Sequence, residues 1–165
     1  QLARNFRIPL IIMSPKSLLR HPKCVSDASE VLNGGFQELI DDAVAKPSEI
    51  KRVLYCSGKI YYELLAKKEA DNRNDIAIVR MEQLYPIPIQ QLEATFDKYK
   101  NAEKFWVQEE PANMGAWTYL LDRQYRMKGE AFFKLISRKT SSSPATGNKK
   151  QHIDEVKDIM ERAFN

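Results

Sequence analysis

The sequence has little cysteine, no long apolar run and none of the short motifs that mark common active sites. Two cysteines in 165 residues, Cys24 and Cys56, are too few for a disulfide framework or a zinc site, so we expect a reduced, intracellular protein. No apolar run approaches the length of about 18 residues that a membrane span requires. Walker loops, GxGxxG, Ser-His-Asp triads and metal-ligand spacings are also missing. The sequence therefore predicts neither a membrane protein nor an enzyme of these classes.

The composition is typical of a globular domain whose charge is unevenly placed. The chain is 43% hydrophobic and 29% charged, and its length suits one domain, predicted over residues 1–165. Two segments without acids, 1–26 and 134–153, each carry a charge of +5. Such segments can attract nucleic acid. No known nucleic-acid-binding pattern accompanies them, so we interpret both basic segments as facing water or an acidic neighbour.

Short apolar segments alternate with amphipathic ones along the chain. The run IPLIIM (8–13) predicts a strand buried on both faces, and a short helix follows within 27–41. Further strands are predicted at 52–56, 76–81, 104–108 and 132–137, and helices at 57–72, 89–100, 114–127 and 153–164. We expect Ser57 to cap the first of these helices, Asn72 to help end it, and the last to bury Ile153.

This alternation predicts an α/β fold, with a mostly parallel sheet covered by helices on both faces. In such sheets the functional edge lies beyond the carboxyl ends of the strands. Three loops should meet there: 56–59, 81–88 and 108–117.

The first and third loops contain the side chains best suited to binding or catalysis. Ser57 and Lys59 flank a glycine before a helix, an arrangement that can hold an anion or can simply form a turn. Glu109 and Glu110 form an acidic pair that could do acid–base work. Adjacent residues on a strand face opposite sides, so we prefer one glutamate in a salt bridge at an interface and the other in water.

Other residues have a functional and a structural interpretation side by side. Asn113 can cap the following helix, and Trp117 can anchor either the core or a partner surface. Lys16, Arg20 and His21 follow the first predicted strand and are interpreted as an exposed loop. Cys56 lies in an apolar strand and is interpreted as a buried, unreactive thiol.

The five segments that carry these loops resemble one family when they are taken together. PLIIMSPKSLLRHP, CSGKIYYELL, DIAIVRMEQLYPIP, KFWVQEEPANMGAW and ISRKTSSSPATG…QHIDEV occur in the order found in the C-terminal domain of the E1 component of the 2-oxoglutarate dehydrogenase complex. The resemblance covers nearly the whole chain. It implies a three-layer α/β/α domain of the transketolase type, with about five strands, one of them antiparallel.

The resemblance also implies a role within a larger enzyme. That enzyme uses thiamine diphosphate and magnesium, held by a Gly-Asp-Gly motif in earlier domains, and no such motif occurs here. We therefore expect an inactive fragment, cut from a longer chain, that extends an E1 homodimer and works with other E1 domains and the E2 succinyltransferase. The expected location is the bacterial cytoplasm, or the mitochondrial matrix in a eukaryote, with the bacterial one preferred.

Some relatives place a regulatory acyl-CoA site on this domain, which gives an alternative function as a nucleotide or acyl-CoA sensor. The pattern uses arginines shortly after EQLYPIP and a lysine before the position of Phe36. Here those positions hold Gln90, Gln91 and Gly35, which lack the cations, while Gln83 matches. A sensor would instead use Ser57 and Lys59 together with Lys16 and Arg20.

Overall fold

A computed structural model describes residues 5–9 and 11–165. The chain divides into two compact units, Gln1–Gly34 and Gly35–Asn165. The prediction of one domain over residues 1–165 stays a prediction. No helix among the described residues has both the length and the apolar character needed to cross a membrane.

The first unit has little regular structure and no buried residue among those described. It contains a 3-10 turn at Lys16–Leu18 and the helix α1 (Ala28–Asn33), which begins at a capping box made by Asp27 and Glu30. Large apolar side chains are exposed along its length: Phe6, Ile8, Ile11, Ile12, Met13, Leu19, Val25, Val31 and Leu32.

The predicted strand at 8–13 is wrong for the residues that the structure describes there. Residues 8, 9 and 11–13 form no strand, and Met13 is 92% exposed. Residue 10 lies outside the described residues. An apolar run shows that a segment favours burial, but a strand also needs a neighbouring strand with free hydrogen-bonding groups.

The second unit is built on a five-stranded, mostly parallel sheet, as predicted. Its strands are β1 (Leu39–Ile40), β2 (Arg52–Cys56), β3 (Ile76–Met81), β4 (Glu103–Pro111) and β5 (Lys134–Arg138). Their spatial order is β1-β3-β2-β4-β5. Only β1 runs antiparallel, pairing Leu39 with Met81, so the fifth strand of the sheet comes from 39–40 and not from the predicted strand at 8–13.

Four helices cover the sheet and give the predicted α/β/α layers. They are α2 (Ile60–Ala70), α3 (Ile89–Lys98), α4 (Trp117–Lys128) and α5 (Lys149–Phe164). Side chains alternate along β2. Leu54 packs in the cluster shared with α2 and α5, and Tyr55 in the cluster shared with α3 and α4. Each face of the sheet therefore has its own core.

Two helix details differ from the prediction. Ser57 does not cap α2, because Gly58 has a φ of +74° and turns the chain so that the helix starts only at Ile60, with Lys59 as N-cap. Ile153 is 53% exposed, because α5 begins earlier than predicted and contacts the core only from Val156 onward. Asn72, with a φ of +50°, does follow the end of α2 as expected.

Candidate functional site

The sheet has a topological switch point between β2 and β4. The helix after β2 packs on one face of the sheet, and the helix after β4 packs on the other. The connections that follow β2 and β4 therefore leave the sheet in opposite directions at the carboxyl ends of these strands. This is where open α/β sheets bind ligands. The loops at 56–59 and 108–117 meet there, as the sequence predicts.

An ion cluster made of Lys59, Glu63 and Glu109 lies at the switch point. Nζ of Lys59 lies 2.8 Å from Oε1 of Glu109 and also contacts Glu63, one turn along α2. All three side chains are about one-third exposed or less. Burial would lower the pKa of Lys59, but the hydrogen bonds to Glu109 and Glu63 outweigh burial and raise that pKa. This cation is therefore already neutralised from within the chain.

The two adjacent glutamates, Glu109 and Glu110, have different surroundings. Glu109 is half-buried and holds Lys59, and its backbone oxygen accepts a hydrogen bond from Nε of Arg138. Glu110 is exposed. The predicted split into one salt-bridged and one solvated carboxylate is confirmed, while an interface role for either remains a prediction.

Gln108 organises the turn that follows, and sequence reasoning missed it. Its buried amide oxygen accepts from Nε1 of Trp106 and from the backbone N–H of Trp117. Its amide nitrogen donates to the backbone oxygens of Pro111 and Met114. A glutamine inside an apolar strand, followed by Pro and Gly, was the available signal.

Gly115 completes this turn because it packs directly on the amide of Gln108. It has a φ of +69°, and a Cβ at this position would lie 3.0 Å from both polar atoms of that amide. A side chain at Gly115 would therefore strain the backbone and displace the buried glutamine.

Asn113 and Trp117 take roles that differ from those first considered. Asn113 does not cap α4, because its amide exchanges two hydrogen bonds with the backbone of Ser141 and so joins the loop after β5. Trp117 is half-buried and packs against the core shared with α3. Core packing is confirmed for Trp117, and a partner contact stays a prediction.

Sequence reasoning also missed Arg138, whose hydrogen bonds hold the loop after β5 in place. Its guanidinium donates to Oγ1 of Thr146, to Oε2 of Glu155 and to the backbone oxygen of Pro144. The loop and α5 line a cavity of about 710 Å³ whose lining includes Arg138, Ser141 and Asp158. In the sequence, only the excess of basic residues in 134–153 indicated that Arg138 could be important.

Gln83 lies in the loop at 81–88, and Gln90 and Gln91 at the start of α3 stand where relatives with a regulatory site are expected to have cations. Nε2 of Gln83 donates to Glu38 and to the backbone oxygen of Pro86, and Nε2 of Gln91 donates to the other oxygen of Glu38. Gln90 and Gly35 are exposed. The carboxylate of Glu38 therefore already accepts hydrogen bonds from two glutamine amides of this chain.

Lys16 and Arg20 are exposed in the first unit, and Ser57 and Lys59 belong to the second. A sensor site formed by these four residues remains a prediction. Among the described residues, no group of three or more His, Cys, Asp or Glu side chains could hold a metal ion.

Comparison with known proteins identifies the family. The family described as "2-oxoglutarate dehydrogenase C-terminal" matches residues 25–164. The chain belongs to this family. The resemblance drawn from the loop segments is thereby confirmed.

Similar curated proteins come from bacteria and from eukaryotes. The chain is 41% identical to the 2-oxoglutarate dehydrogenase E1 component of Haemophilus influenzae, over 100% of the chain and 18% of that protein. It is 42% identical to the mitochondrial 2-oxoglutarate dehydrogenase of Caenorhabditis elegans, over 99% and 17%. A probable 2-oxoadipate dehydrogenase complex component E1 homolog of Dictyostelium discoideum is 41% identical, over 100% and 19%. The chain thus spans less than a fifth of the length of these relatives.

Proposed function

We propose that this chain is the C-terminal assembly domain of a 2-oxoglutarate dehydrogenase E1 protein and contributes no catalytic group of its own. The observation that carries this proposal is the series of apolar side chains exposed in the first unit. Ile11, Ile12 and Met13 are 72–92% exposed, and Val31 and Leu32 on α1 are 76–80% exposed. Contiguous apolar surface of this kind mostly serves to contact another protein surface.

The switch point supports the same proposal. At the crevice in which related sheets bind ligands, the cation Lys59 is already paired with two glutamates of this chain. In the proposed whole enzyme, loss of CO₂ from 2-oxoglutarate and transfer of the succinyl group to the E2 lipoyl arm take place at residues outside this chain. Thiamine diphosphate and Mg²⁺ belong to that part as well, in the cytoplasm of a bacterium or in the mitochondrial matrix.

The assembly role is tested by placing a charge on the apolar surface in the full-length protein. Val25→Asp should weaken the E1 dimer about tenfold or more, because a carboxylate would be buried without a partner. Val44→Asp is the matched control, since Val44 is also a valine outside helices and strands and is exposed to 81%, against 77% for Val25. Light scattering over a dilution series gives the dimer constant. Equal constants for both variants and the unchanged protein would contradict the proposal.

The absence of a catalytic role is tested on the same 165 residues by calorimetry. Titration with thiamine diphosphate and Mg²⁺ should give no binding heat, because no group of three or more His, Cys, Asp or Glu side chains among the described residues could hold the metal ion. Micromolar binding would overturn the proposal.

A second candidate substrate is favoured by one relative. The Dictyostelium protein is as similar to this chain as the Haemophilus one, and its name refers to 2-oxoadipate. The full-length protein can be assayed with both 2-oxo acids. The proposal predicts a higher kcat/KM for 2-oxoglutarate, and the reverse order would assign 2-oxoadipate.

The sensor alternative has less support, because Lys59 is paired with two carboxylates and Gln83 with Glu38. A thermal-shift panel with AMP, CoA and acetyl-CoA separates it from the assembly role. Binding to the native state must raise the unfolding temperature, so no shift at millimolar ligand argues against a sensor.

A further inference from the structure

Three side chains, Tyr85, Tyr119 and Arg123, lie in a row where the loop at 81–88 meets α4, with the two tyrosine rings edge to face. The rings of Tyr85 and Tyr119 lie 6.3 Å apart, centre to centre, and the guanidinium of Arg123 lies 5.4 Å from the centre of the Tyr119 ring. Tyr85 is 74% exposed, while Tyr119 and Arg123 are half-buried. Tyrosine and arginine are the residue types that dominate the energetics of protein interfaces.

Arg123 differs from every other arginine in the second unit. Six of the seven arginines in Gly35–Asn165 form an ion pair with a described carboxylate: Arg52, Arg73, Arg80, Arg126, Arg138 and Arg162. Arg123 has no ion pair with the described residues, and its buried Nε–H has no hydrogen-bond acceptor among them. Nη1 and Nη2 also have no hydrogen bond with the described residues and are not buried, so the end of the guanidinium is accessible to an acceptor from elsewhere.

We propose that Arg123 receives an Asp or Glu carboxylate from the part of the longer E1 protein that lies outside this chain. A carboxylate is the acceptor that matches the planar fork of a guanidinium, with two parallel hydrogen bonds. The rings of Tyr85 and Tyr119 would flank the pair and exclude water from it, which strengthens the charge-assisted bonds. The inference rests on the proposed assembly role and names one contact through which that role is exercised.

The rest of the same protein is the preferred source of the carboxylate for a physical reason. The relatives are more than five times as long as this chain, so most of the protein is tethered close to this surface. Tethering gives a high effective concentration, at which even a single ion pair contributes to docking.

The inference is tested by converting the arginine into a group that can be cross-linked. In the full-length protein, Arg123→Lys places an amine where the guanidinium was, and a carbodiimide joins an amine to a carboxylate in contact with it. Peptide mass spectrometry should find one new cross-link, from position 123 to an Asp or Glu outside residues 1–165. Arg126→Lys is the matched control, because Arg126 lies on the same helix and pairs with Asp122, so its new cross-link should join Asp122.

Mixing subunits of two isotopic labels identifies the source of the carboxylate. Cross-linked peptides carrying a single label support a contact within one polypeptide. Peptides with mixed labels, a cross-link to the E2 protein, or no new cross-link at position 123 would overturn the inference. A mixed-label result would leave the assembly role intact, whereas an unaltered dimer constant for Val25→Asp would contradict that role without affecting the cross-link.

Charge reversal gives an independent measurement in the full-length protein. Arg123→Glu should repel the docked carboxylate and increase the rate at which a protease releases the C-terminal domain, by about fivefold or more. Arg126→Glu changes the charge equally and should leave that rate within about twofold. Equal rates for the two variants would contradict the docking contact.

Discussion

The amide of Gln108 determines the shape of the loop at 108–117, because one buried side chain satisfies five backbone or side-chain groups around it. Replacing it with leucine keeps most of the volume but leaves the indole N–H of Trp106, the N–H of Trp117 and three backbone oxygens without their partner. We expect Gln108→Leu to lower the free energy of unfolding by about 2–4 kcal/mol. Urea denaturation measures this loss.

Gln151 provides the control for this substitution. It is exposed and its amide nitrogen bonds only to Glu155, so Gln151→Leu should change the free energy of unfolding by less than about 0.5 kcal/mol. Similar losses for the two variants would show that Gln108 has no special role.

The two thiols should differ sharply in reactivity. Cys24 is exposed, whereas Cys56 is fully buried and burial raises the pKa of its thiol from 9.0 to about 12. The thiolate is the reactive form, so at pH 8 only Cys24 should react rapidly with an aromatic disulfide reagent. Absorbance should report one fast thiol in the native protein and two in urea, and two fast thiols without denaturant would be inconsistent with the buried strand.

At the scale of elements, single ion pairs fix how helices and loops attach to the sheet. Lys68 on α2 and Asp42 in the loop after β1 form a pair at 2.6 Å, with side chains only 9% and 8% exposed, and Asp42 also accepts from the N–H of Ile78. Asp42→Ala would leave a buried ammonium without a partner. We expect a loss of about 3–5 kcal/mol in the free energy of unfolding.

The pair between Lys46 and Glu49 is the matched control, because both side chains are more than half exposed. Glu49→Ala should cost less than about 1 kcal/mol. Calorimetric unfolding of both variants gives the comparison, and equal losses would mean that the Asp42 contact is solvated in solution.

The elements also show where sequence reasoning succeeds and where it stops. The strands at 52–56 and 76–81 were predicted with the observed bounds, because continuous apolar runs between helices specify a buried parallel strand. The run at 8–13 has the same character but forms no strand among its described residues. Periodicity reports what a segment would bury, whereas pairing depends on residues far away in sequence.

In the candidate site, too, the sequence predicted local features but not contacts between residues distant in sequence. The sequence predicted that the loops at 56–59 and 108–117 would meet and that one glutamate would be paired. It could not give Lys59 as the partner of Glu109, because that contact joins residues fifty positions apart through the sheet order. Gln108 and Arg138 were missed for a related reason, since their partners are mostly backbone groups of loops whose path the sequence does not specify.

At the scale of the whole molecule, the buried acids of the core predict a loss of stability at alkaline pH. The folded protein keeps Cys56 and Tyr55 protonated, because burial raises the pKa of both groups above that in the unfolded chain. Between about pH 9 and 12 unfolding therefore releases protons, and rising pH favours the unfolded state. Each such group should lower the free energy of unfolding by about 1.4 kcal/mol per pH unit.

Urea denaturation from pH 8 to pH 11 measures this slope. Cys56→Ala should make it shallower, whereas Cys24→Ala should leave it unchanged because Cys24 is exposed. The same slope in both variants would argue that Cys56 ionises equally in the folded and unfolded states.

The central position of β2 in the sheet has a consequence for synthesis on the ribosome. The innermost strand is the first long strand to be made, and the strands on its two sides follow it by about twenty and about fifty residues. A nascent chain therefore passes through a stage in which a strongly apolar strand has both edges unpaired, and such edges invite association with other chains. We expect a chaperone to matter most at this stage of translation.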